Sequence, residues 1–589
     1  QRALAYKTIF WLNLPSGRRF GLPGTLRVPL LYAPAFYKSL AKNPRRSGFL
    51  TPNIGNSSRR GKMIGVGYYW AINRSYDLLY RAQWFTLRGL AHHVDFRGKV
   101  NEKTEFGLTL YGVNDKGIEV GDKLVKQGGF LVSGGGRSVL GRGWVAAGEF
   151  NYLSSFVFRQ SFTESFHEAI FAESRSTGFV TKHWSSFGVN VVFDRDEVFQ
   201  FANPGETTPD STAKVITRKL PEFEFVGRER QILSRWFPLW VSFDSSAGLY
   251  RREEPLFSSS QFMDRLDVEP RVTTAFSFKG FSLVPSFSAK ATHYGESFTD
   301  NRAVGSNIVK TSRELTADLV FPSISRIYDA PKWLGGGKLK HVVETRATYR
   351  DVSGVTDFNK IIRIDPTDLV ANTREIDISL TNRLYQKTKD GAVNEVLTWQ
   401  LWQAIYLDPT FGGAILPGQR NTTLSALEIT GFAFMDQYRH YSPVVSSFKY
   451  WNKLGMEWRA DYDPLRHRVV NSSFTADYRK DKYFVSVGHA MVRDDPVLAP
   501  SQNQFRASLG VGNDNRRGWN AGTSFYYDYR QQVLQYMSTQ VTYNTDCCGF
   551  SVQYRRFSLP SRNENQFRIA FSVANLGSFG TLKRQEKLF

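Results

Sequence analysis

Alternation of apolar and polar residues with a period of two recurs along this chain. From Phe505 to Val511 and from Phe567 to Val573, the odd positions are apolar and the even positions are polar or small. Successive side chains of a strand point to opposite faces, so this period predicts strands with one apolar and one polar face. No apolar pattern of helical spacing persists beyond a turn or two. The sequence therefore predicts an all-β fold.

The connections between these strands favour one large barrel. Tight turns such as Asp463-Pro464 occur beside long polar loops such as residues 408–421, an asymmetry typical of outer-membrane barrels. Strands of ~9 to 11 residues plus their connections predict about 24 to 26 strands beyond residue 50. A soluble propeller would show a repeat of ~40 to 50 residues, and none is recognisable. Aromatic residues make up 15% of the chain and cluster near strand ends, as membrane girdles require.

Positive charge is concentrated at the N-terminal end. Residues 1–76 contain thirteen Lys and Arg residues and no acid before Asp77. Such a density attracts phosphate-bearing partners, and we expect Arg45, Arg46, Arg59 and Arg60 to contact anionic lipid. The alternative is that the acidic partners of this segment lie upstream of Gln1, outside this sequence.

Catalytic and metal sites are not predicted. Two His-x-Ser pairs, at His183 and at His440, place His and Ser on one strand face, as in barrel hydrolases, but a triad is defined by geometry and not by spacing. No phosphate-binding loop of the GxxxxGK[ST] type is present. The sequence predicts no enzyme activity, no cofactor and no metal.

Cys547 and Cys548 are the only two cysteines, and they are adjacent. A disulfide between neighbours closes a strained ring. The two thiols are therefore either free or bonded to a segment outside this sequence.

Several segments carry a family resemblance. The stretch 543–554 around the two cysteines, together with 46–52, 68–72 and 265–270, resembles the lipopolysaccharide (LPS)-assembly outer-membrane family LptD (OstA/Imp, organic-solvent tolerance) in the same order. The resemblance covers about residues 45–589.

The resemblance implies the following expectations. Residues 1–45 are the C-terminal remnant of a periplasmic β-jelly roll, most of which is not in this sequence, and residues 46–589 are a transmembrane antiparallel β-barrel. The chain would transport LPS through the barrel lumen and a lateral gate into the outer membrane of a Gram-negative bacterium. Its partners would be an LptE-type plug lipoprotein, an LptA-type periplasmic bridge docked through the jelly roll, and LPS, with no nucleic acid. Cys547 and Cys548 would form disulfides to the missing N-terminal region.

The gate is expected where the first strand, near 62–73, meets the last, near 566–576. The candidate residues are Gly65, Gly67, Tyr68, Tyr69 and Trp70 on the first strand, Ala82 on the second, and Gln566, Arg568, Ala570 and Phe571 on the last. In the family, prolines in the first two strands remove hydrogen-bond donors, whereas Gly67 and Ala82 occupy the apparent matching places here. Glycine weakens a strand in another way, since it has no side chain to pack.

Two other functions stay open at this point. A plugged solute-uptake barrel fits the same architecture, and a barrel hydrolase is the third possibility. A stable complex with a small lipoprotein would favour the LPS-assembly function over both.

Overall fold

A computed structural model describes most of the chain. The described residues are 2–15, 25–39, 47–199, 214–234, 237–255, 257–259, 262–300, 302–331, 336–388, 391–429, 434–493, 501–512, 517–545, 548–559, 562–573 and 577–579. The expected lipid contacts Arg45 and Arg46, and one of the two cysteines, Cys547, lie outside them.

Strands dominate the structure. In chain order they are β1 Arg2–Pro15, β2 Thr25–Ser39, β3 Gly48–Ser57, β4 Gly61–Ala71, β5 Tyr76–Phe85, β6 Gly89–Asn101, β7 Thr104–Asp115, β8 Ile118–Val120, β9 Lys123–Val125, β10 Gly129–Gly141, β11 Trp144–Leu153, β12 Glu173–Trp184, β13 Phe187–Phe199, β14 Lys214–Leu233, β15 Leu239–Glu254, β16 Phe257–Ser258, β17 Met263–Thr274, β18 Phe276–Phe278, β19 Phe281–Tyr294, β20 Ser297–Thr299, β21 Arg302–Val304, β22 Ile308–Val320, β23 Ile324–Asp329, β24 Lys338–Ser353, β25 Thr373–Lys387, β26 Val393–Tyr406, β27 Asn421–Thr422, β28 Phe434–Met435, β29 Val444–Trp451, β30 Leu454–Asp463, β31 Arg468–Lys480, β32 Tyr483–Val492, β33 Gln502–Val511, β34 Gly518–Asp528, β35 Val533–Asn544, β36 Cys548–Leu559, β37 Arg562–Val573 and β38 Gly577–Phe579. The helices are α1 Phe156–Phe162, α2 Phe166–Ile170 and α3 Leu424–Ile429, with 3₁₀ turns at Phe358–Lys360, Pro366–Leu369 and Phe411–Gly413.

The wall is a closed barrel of 26 antiparallel strands. Each long strand from β3 to β37 pairs with the next, and β3 pairs with β37 to close the ring. The predicted all-β barrel of 24 to 26 strands is confirmed. No helix among the described residues is long and apolar enough to cross a membrane.

The outer face of the wall is apolar because alternate side chains point away from the lumen. On β4 the exposed apolar positions are Ile64, Val66, Tyr68 and Trp70, while the residues between them are buried or partly buried. An apolar outer face on alternate positions of a strand is what a membrane barrel shows.

The two ends of the barrel differ. At one end, which we call the turn end, β3 begins and many hairpins are tight, such as residues 102–103 and 142–143. At the opposite end, the loop end, long connections join the strands, including residues 154–172, 354–372 and 407–443. The described parts of these three connections fold against inward-facing residues of the wall. They fill part of the lumen at the loop end.

Outside the wall, β1 and β2 pair antiparallel as a separate sheet, which fits the expected end of a jelly roll. The domain boundary at residue 45 stays a prediction. The wall begins at Gly48.

Candidate functional site: the seam between the first and last strands

The hydrogen-bond ladder that closes the barrel is short. β3 and β37 are in register over four residue pairs, from Ile54 opposite Ile569 to Ser57 opposite Gln566. The neighbouring ladder between β36 and β37 has twelve pairs. Beyond Ile569, the free edge of β37 is taken by β38, from Phe571 to Val573. In the described wall, β3 and β37 are thus held together by backbone pairing only toward the loop end.

The predicted position of the first strand is wrong by one strand. Residues 62–73 were expected to pair with the last strand, but Gly61–Ala71 is β4, which pairs with β3 on one side and β5 on the other. Gly65, Gly67, Tyr68, Tyr69 and Trp70 therefore lie on the second wall strand, and Ala82 lies on the third. The reason is that Gly48–Ser57 has a register shift between Leu50 and Asn53, which breaks its alternation of apolar residues.

The true first strand contains a proline, contrary to the expected glycine-based weakness. Pro52 lies in β3, two residues before the first pair with β37. Proline has no backbone N–H and cannot donate to a ladder. The ladder between β3 and β37 thus begins just after the residue that lacks a donor.

The last long strand overlaps the predicted one: β37 is Arg562–Val573, whereas the sequence placed the strand near 566–576. Gln566 and Arg568 are on β37 opposite Ser57 and Gly55, and their side chains are buried on the inner side of the wall. Ala570 and Phe571 follow on the same strand and pair in backbone register with β36.

The connection 154–172, which we call the seam segment, lies across the inner side of this junction. Its α1 packs against the wall strands that follow β3: Phe162 is fully buried beside Phe85, and Phe158 lies 5.8 Å from Tyr111 between ring centroids. The Arg88 guanidinium lies 4.8 Å from the centre of the Phe162 ring. One half of the segment is therefore fixed to the first strands of the wall.

The other half of the seam segment is fixed to the last strands. Phe166 of α2 is buried at ring-centroid distances of 4.7 Å from Tyr526 and 5.0 Å from Tyr536. His167 Nε2 lies 2.9 Å from the Tyr526 hydroxyl. Burial of each large aromatic side chain contributes roughly 1.5–3 kcal/mol, so the segment holds the two sides of the seam together by packing.

Glu164, between the two helices, forms a charged bridge over the seam. Its Oε1 accepts a hydrogen bond from Arg60 Nη1 at 2.7 Å, and its Oε2 accepts one from Arg568 Nη2 at 2.5 Å. Arg60 belongs to the turn after β3, and Arg568 belongs to β37. One carboxylate thus binds both edges of the seam.

A second carboxylate, Glu564 on β37, completes the bridge. It accepts hydrogen bonds from Ser57 Oγ across the seam, and from Arg562 Nε at 2.6 Å on its own strand. Arg60 Nε lies 3.3 Å from the same carboxylate. Arg562 also donates to the carbonyl oxygen of Thr163 in the seam segment at 2.6 Å.

These charges are buried and stabilise one another. Burial raises the pKa of Glu164, but attraction to Arg568 and Arg60 outweighs this effect and leaves the pKa well below its ordinary value. At neutral pH the Glu164 carboxylate is therefore ionised. Arg59, next to this group, donates to Gln127 Oε1 at 2.5 Å, and burial together with Arg88 lowers its pKa to about 10.

One of the N-terminal cations, Arg60, pairs with carboxylates downstream in the chain. Arg60 is 1% exposed and contacts Glu164 and Glu564 on the inside of the closed wall. The alternative that the acidic partners lie upstream of Gln1 is wrong for this residue. Contact of Arg59 and Arg60 with anionic lipid stays a prediction.

Of the two cysteines, Cys548 is described, and it lies near the opposite end of the barrel. Cys548 begins β36 in register with Val573, at the turn end.

The His-x-Ser pair at His440 has structural partners: His440 Nδ1 lies 3.1 Å from the Tyr406 carbonyl oxygen, and Ser442 Oγ accepts a hydrogen bond from Ala404 N at 2.9 Å.

The seam segment was not predicted from the sequence, although one signal for it exists. Ser165-Phe166-His167-Glu168 has the spacing of a helix capping box, and Ser165 Oγ accepts from Glu168 N in the structure. Nothing in the sequence pairs Glu164 with Arg60 or Arg568, because these residues are 104 and 404 positions apart.

Two models of known protein families match this chain. Residues 127–513 match the family model described as LPS transport system D, and residues 24–105 match a second model described as LptD protein. The chain belongs to the LptD family. As a member of that family with a large β-barrel, it is an outer-membrane protein of a Gram-negative bacterium.

Full-length relatives support this membership. The chain is 21% identical to the LPS-assembly protein LptD of Aliivibrio fischeri, covering 90% of this chain and 66% of the relative. It is 20% identical to LptD of Pseudoalteromonas translucida, covering 94% of this chain and 71% of the relative. The chain spans about two thirds of the length of these LptD proteins.

Solved structures with some similarity include an outer-membrane receptor and a hemophore receptor. The alcaligin receptor FauA of Bordetella pertussis has a TM-score of 0.31 and 10% identity over 92% of this chain and 78% of FauA. The hemophore receptor HasR of Serratia marcescens has a TM-score of 0.33 and 8% identity over 91% of this chain and 81% of HasR.

Proposed function

We propose that this chain transports LPS and inserts it into the outer leaflet of the outer membrane, and that the lipid leaves the lumen through the seam between β3 and β37. The observation that carries this proposal is the four-pair ladder at the seam, beside a ladder of twelve pairs on the next strand. A wall in the bilayer has no water to satisfy broken backbone pairs, so a ladder of four pairs costs less to open than one of twelve.

The alternatives gain less support. Membership in the LptD family favours LPS assembly over solute uptake. The His-x-Ser pair at His440 does not favour a hydrolase, since His440 and Ser442 are engaged by main-chain atoms.

The proposal includes partners and disulfides. A 26-stranded barrel is too wide for its own side chains to fill, which supports an LptE-type lipoprotein as a plug. The jelly roll would receive LPS from an LptA-type bridge. Cys547 and Cys548 would bond to the N-terminal region, and the turn-end position of Cys548 supports this because β3 enters the wall at the same end.

Complementation tests this function. In cells depleted of their own LPS-assembly protein, the full-length protein with its lipoprotein partner is expected to restore newly made LPS at the cell surface, measured by surface labelling of its sugars. A folded barrel in the outer membrane with LPS still retained inside the cell would contradict the proposal. Uptake of a solute by that same barrel would favour the receptor function.

A further inference from the structure

The seam contains more buried positive than negative charge. Four guanidinium groups, those of Arg60, Arg555, Arg562 and Arg568, surround the carboxylates of Glu164 and Glu564. We call these four residues the arginine cluster. All four are at most 5% exposed. The nearby Arg88 does not add to this excess because it makes a two-pronged ion pair with Asp115, at 2.7 and 2.8 Å.

Part of the hydrogen-bonding capacity of the arginine cluster is unused. Nε and Nη1 of Arg568, and Nη2 of Arg562, are buried and have no acceptor among the described residues. A buried donor without an acceptor destabilises a protein. Such donors, together with surplus positive charge, indicate an anionic ligand with more charge and more acceptor oxygens than one carboxylate.

The arginine cluster lies at the level of lipid head groups. On the outer face, apolar Ile54, Ile64 and Phe567 are followed toward the loop end by polar or charged Asn56, Lys62 and Asn565. This change from apolar to polar marks the membrane boundary at the seam. On the inner face, Arg562, Glu564 and Gln566 lie at the same strand positions.

We propose that the arginine cluster is a phosphate-binding site of the seam, and that the Glu164 carboxylate occupies it as an internal ligand until a phosphate monoester takes its place. The inference rests on the proposed function, because the exported lipid would bring the phosphate to the seam. Guanidinium forks match phosphate oxygens in pairs, and a phosphate offers about two charges. Displacement of Glu164 removes the bridge between Arg60 and Arg568, which is the charged contact that joins the two edges of the seam through the seam segment. Binding of the lipid head group then weakens the seam at the moment the lipid arrives.

Replacement of Glu164 by Gln tests the site. The purified complex with its lipoprotein is titrated with LPS that carries its lipid phosphates, and with the same LPS after phosphatase treatment. E164Q is expected to bind the phosphorylated form about tenfold more tightly than wild type, since a charge-assisted competitor has been removed. Adding Arg568→Gln or Arg562→Gln is expected to abolish this gain.

Glu168→Gln is the matched control. Glu168 lies in the same segment but accepts from Thr163 Oγ1 at 2.8 Å, outside the arginine cluster, so E168Q is expected to bind like wild type. If E164Q does not fold, as judged by heat-modifiable migration, Glu164→Asp replaces it, because the shorter side chain withdraws the carboxylate from Arg568.

Competition between orthophosphate and LPS distinguishes a site for any phosphate from a site for a phosphate carried by the lipid. Arginine-dependent competition by orthophosphate supports a general phosphate site, and its absence with LPS binding retained supports a lipid-borne phosphate. Equal affinity of E164Q for phosphorylated and dephosphorylated LPS would overturn the site. If LPS export by wild type is normal in that case, the proposed function stands and only this inference fails.

Discussion

A disulfide between cysteines placed at Asn56 and Phe567 is expected to stop LPS export almost completely. These two residues are directly opposite each other in the seam ladder. Opposite residues of an antiparallel pair lie about 4.5–5.5 Å apart at Cα, within the range that a disulfide spans. A covalent bond cannot be broken by the lipid, so the seam stays closed until the disulfide is reduced. Export is measured as newly made LPS at the cell surface, before and after a reductant is added.

The control is a second disulfide that also uses position 567 but joins β37 to β36 and not to β3. Phe567 also lies directly opposite Tyr554 in the ladder between β36 and β37. A Tyr554–Phe567 cysteine pair introduces the same kind of bond one strand away from the seam, and export is expected to continue. Loss of export with both disulfides would mean that rigidity of the last strand, and not closure of the seam, is the cause.

Replacement of Glu564 by Gln is expected to destabilise the barrel strongly. Glu564 is fully buried and holds Ser57 of β3 and Arg562 of β37. Without its charge, four buried guanidinium groups face the Glu164 carboxylate alone. Breaking a buried ion pair by removing one partner costs about 3–5 kcal/mol. The free energy of unfolding in urea is expected to fall by this amount, and large antibiotics are expected to enter cells through the weakened seam.

Glu149 provides the comparison for this effect. It is exposed and accepts a hydrogen bond from Asn151 Nδ2 at 3.0 Å. Glu149→Gln is expected to change the stability by about 0.5 kcal/mol or less, as for most surface changes. A stability loss for E564Q no greater than that of E149Q would show that the charged bridge does not hold the seam.

Much of the wall could be predicted from the sequence because its signal is local. Runs such as Phe567 to Val573 alternate with the period of a strand, so the fold, the approximate strand number and the last strand followed directly. The first strand did not follow. Gly48–Ser57 contains Pro52 and a register shift, and one shifted residue exchanges the inner and outer faces.

The charged bridge could not be predicted because its partners meet only through closure of the barrel. The sequence places Arg555 and Arg568 on the polar faces of strands, and this position is compatible with either a solvated lumen or an ion pair. Their common partner, Glu164, lies in a connection that strand periodicity does not describe. A short helix of five residues, such as α2, leaves little periodic signal beyond its cap.

Timed photo-crosslinking of LPS to the outer face of the wall tests the seam route most directly. Phe567, at the seam, and Phe287, on β19 far around the ring, are outward-facing phenylalanines with nearly equal exposure, 46% and 47%. Each is replaced in turn by a photoreactive phenylalanine, and the complex is placed in phospholipid vesicles that receive LPS only through the lumen. If LPS leaves through the seam, it is expected to crosslink first at position 567 and to reach position 287 only later, by diffusion in the membrane. Simultaneous crosslinking at both positions, or earlier crosslinking at 287, would contradict exit through this seam.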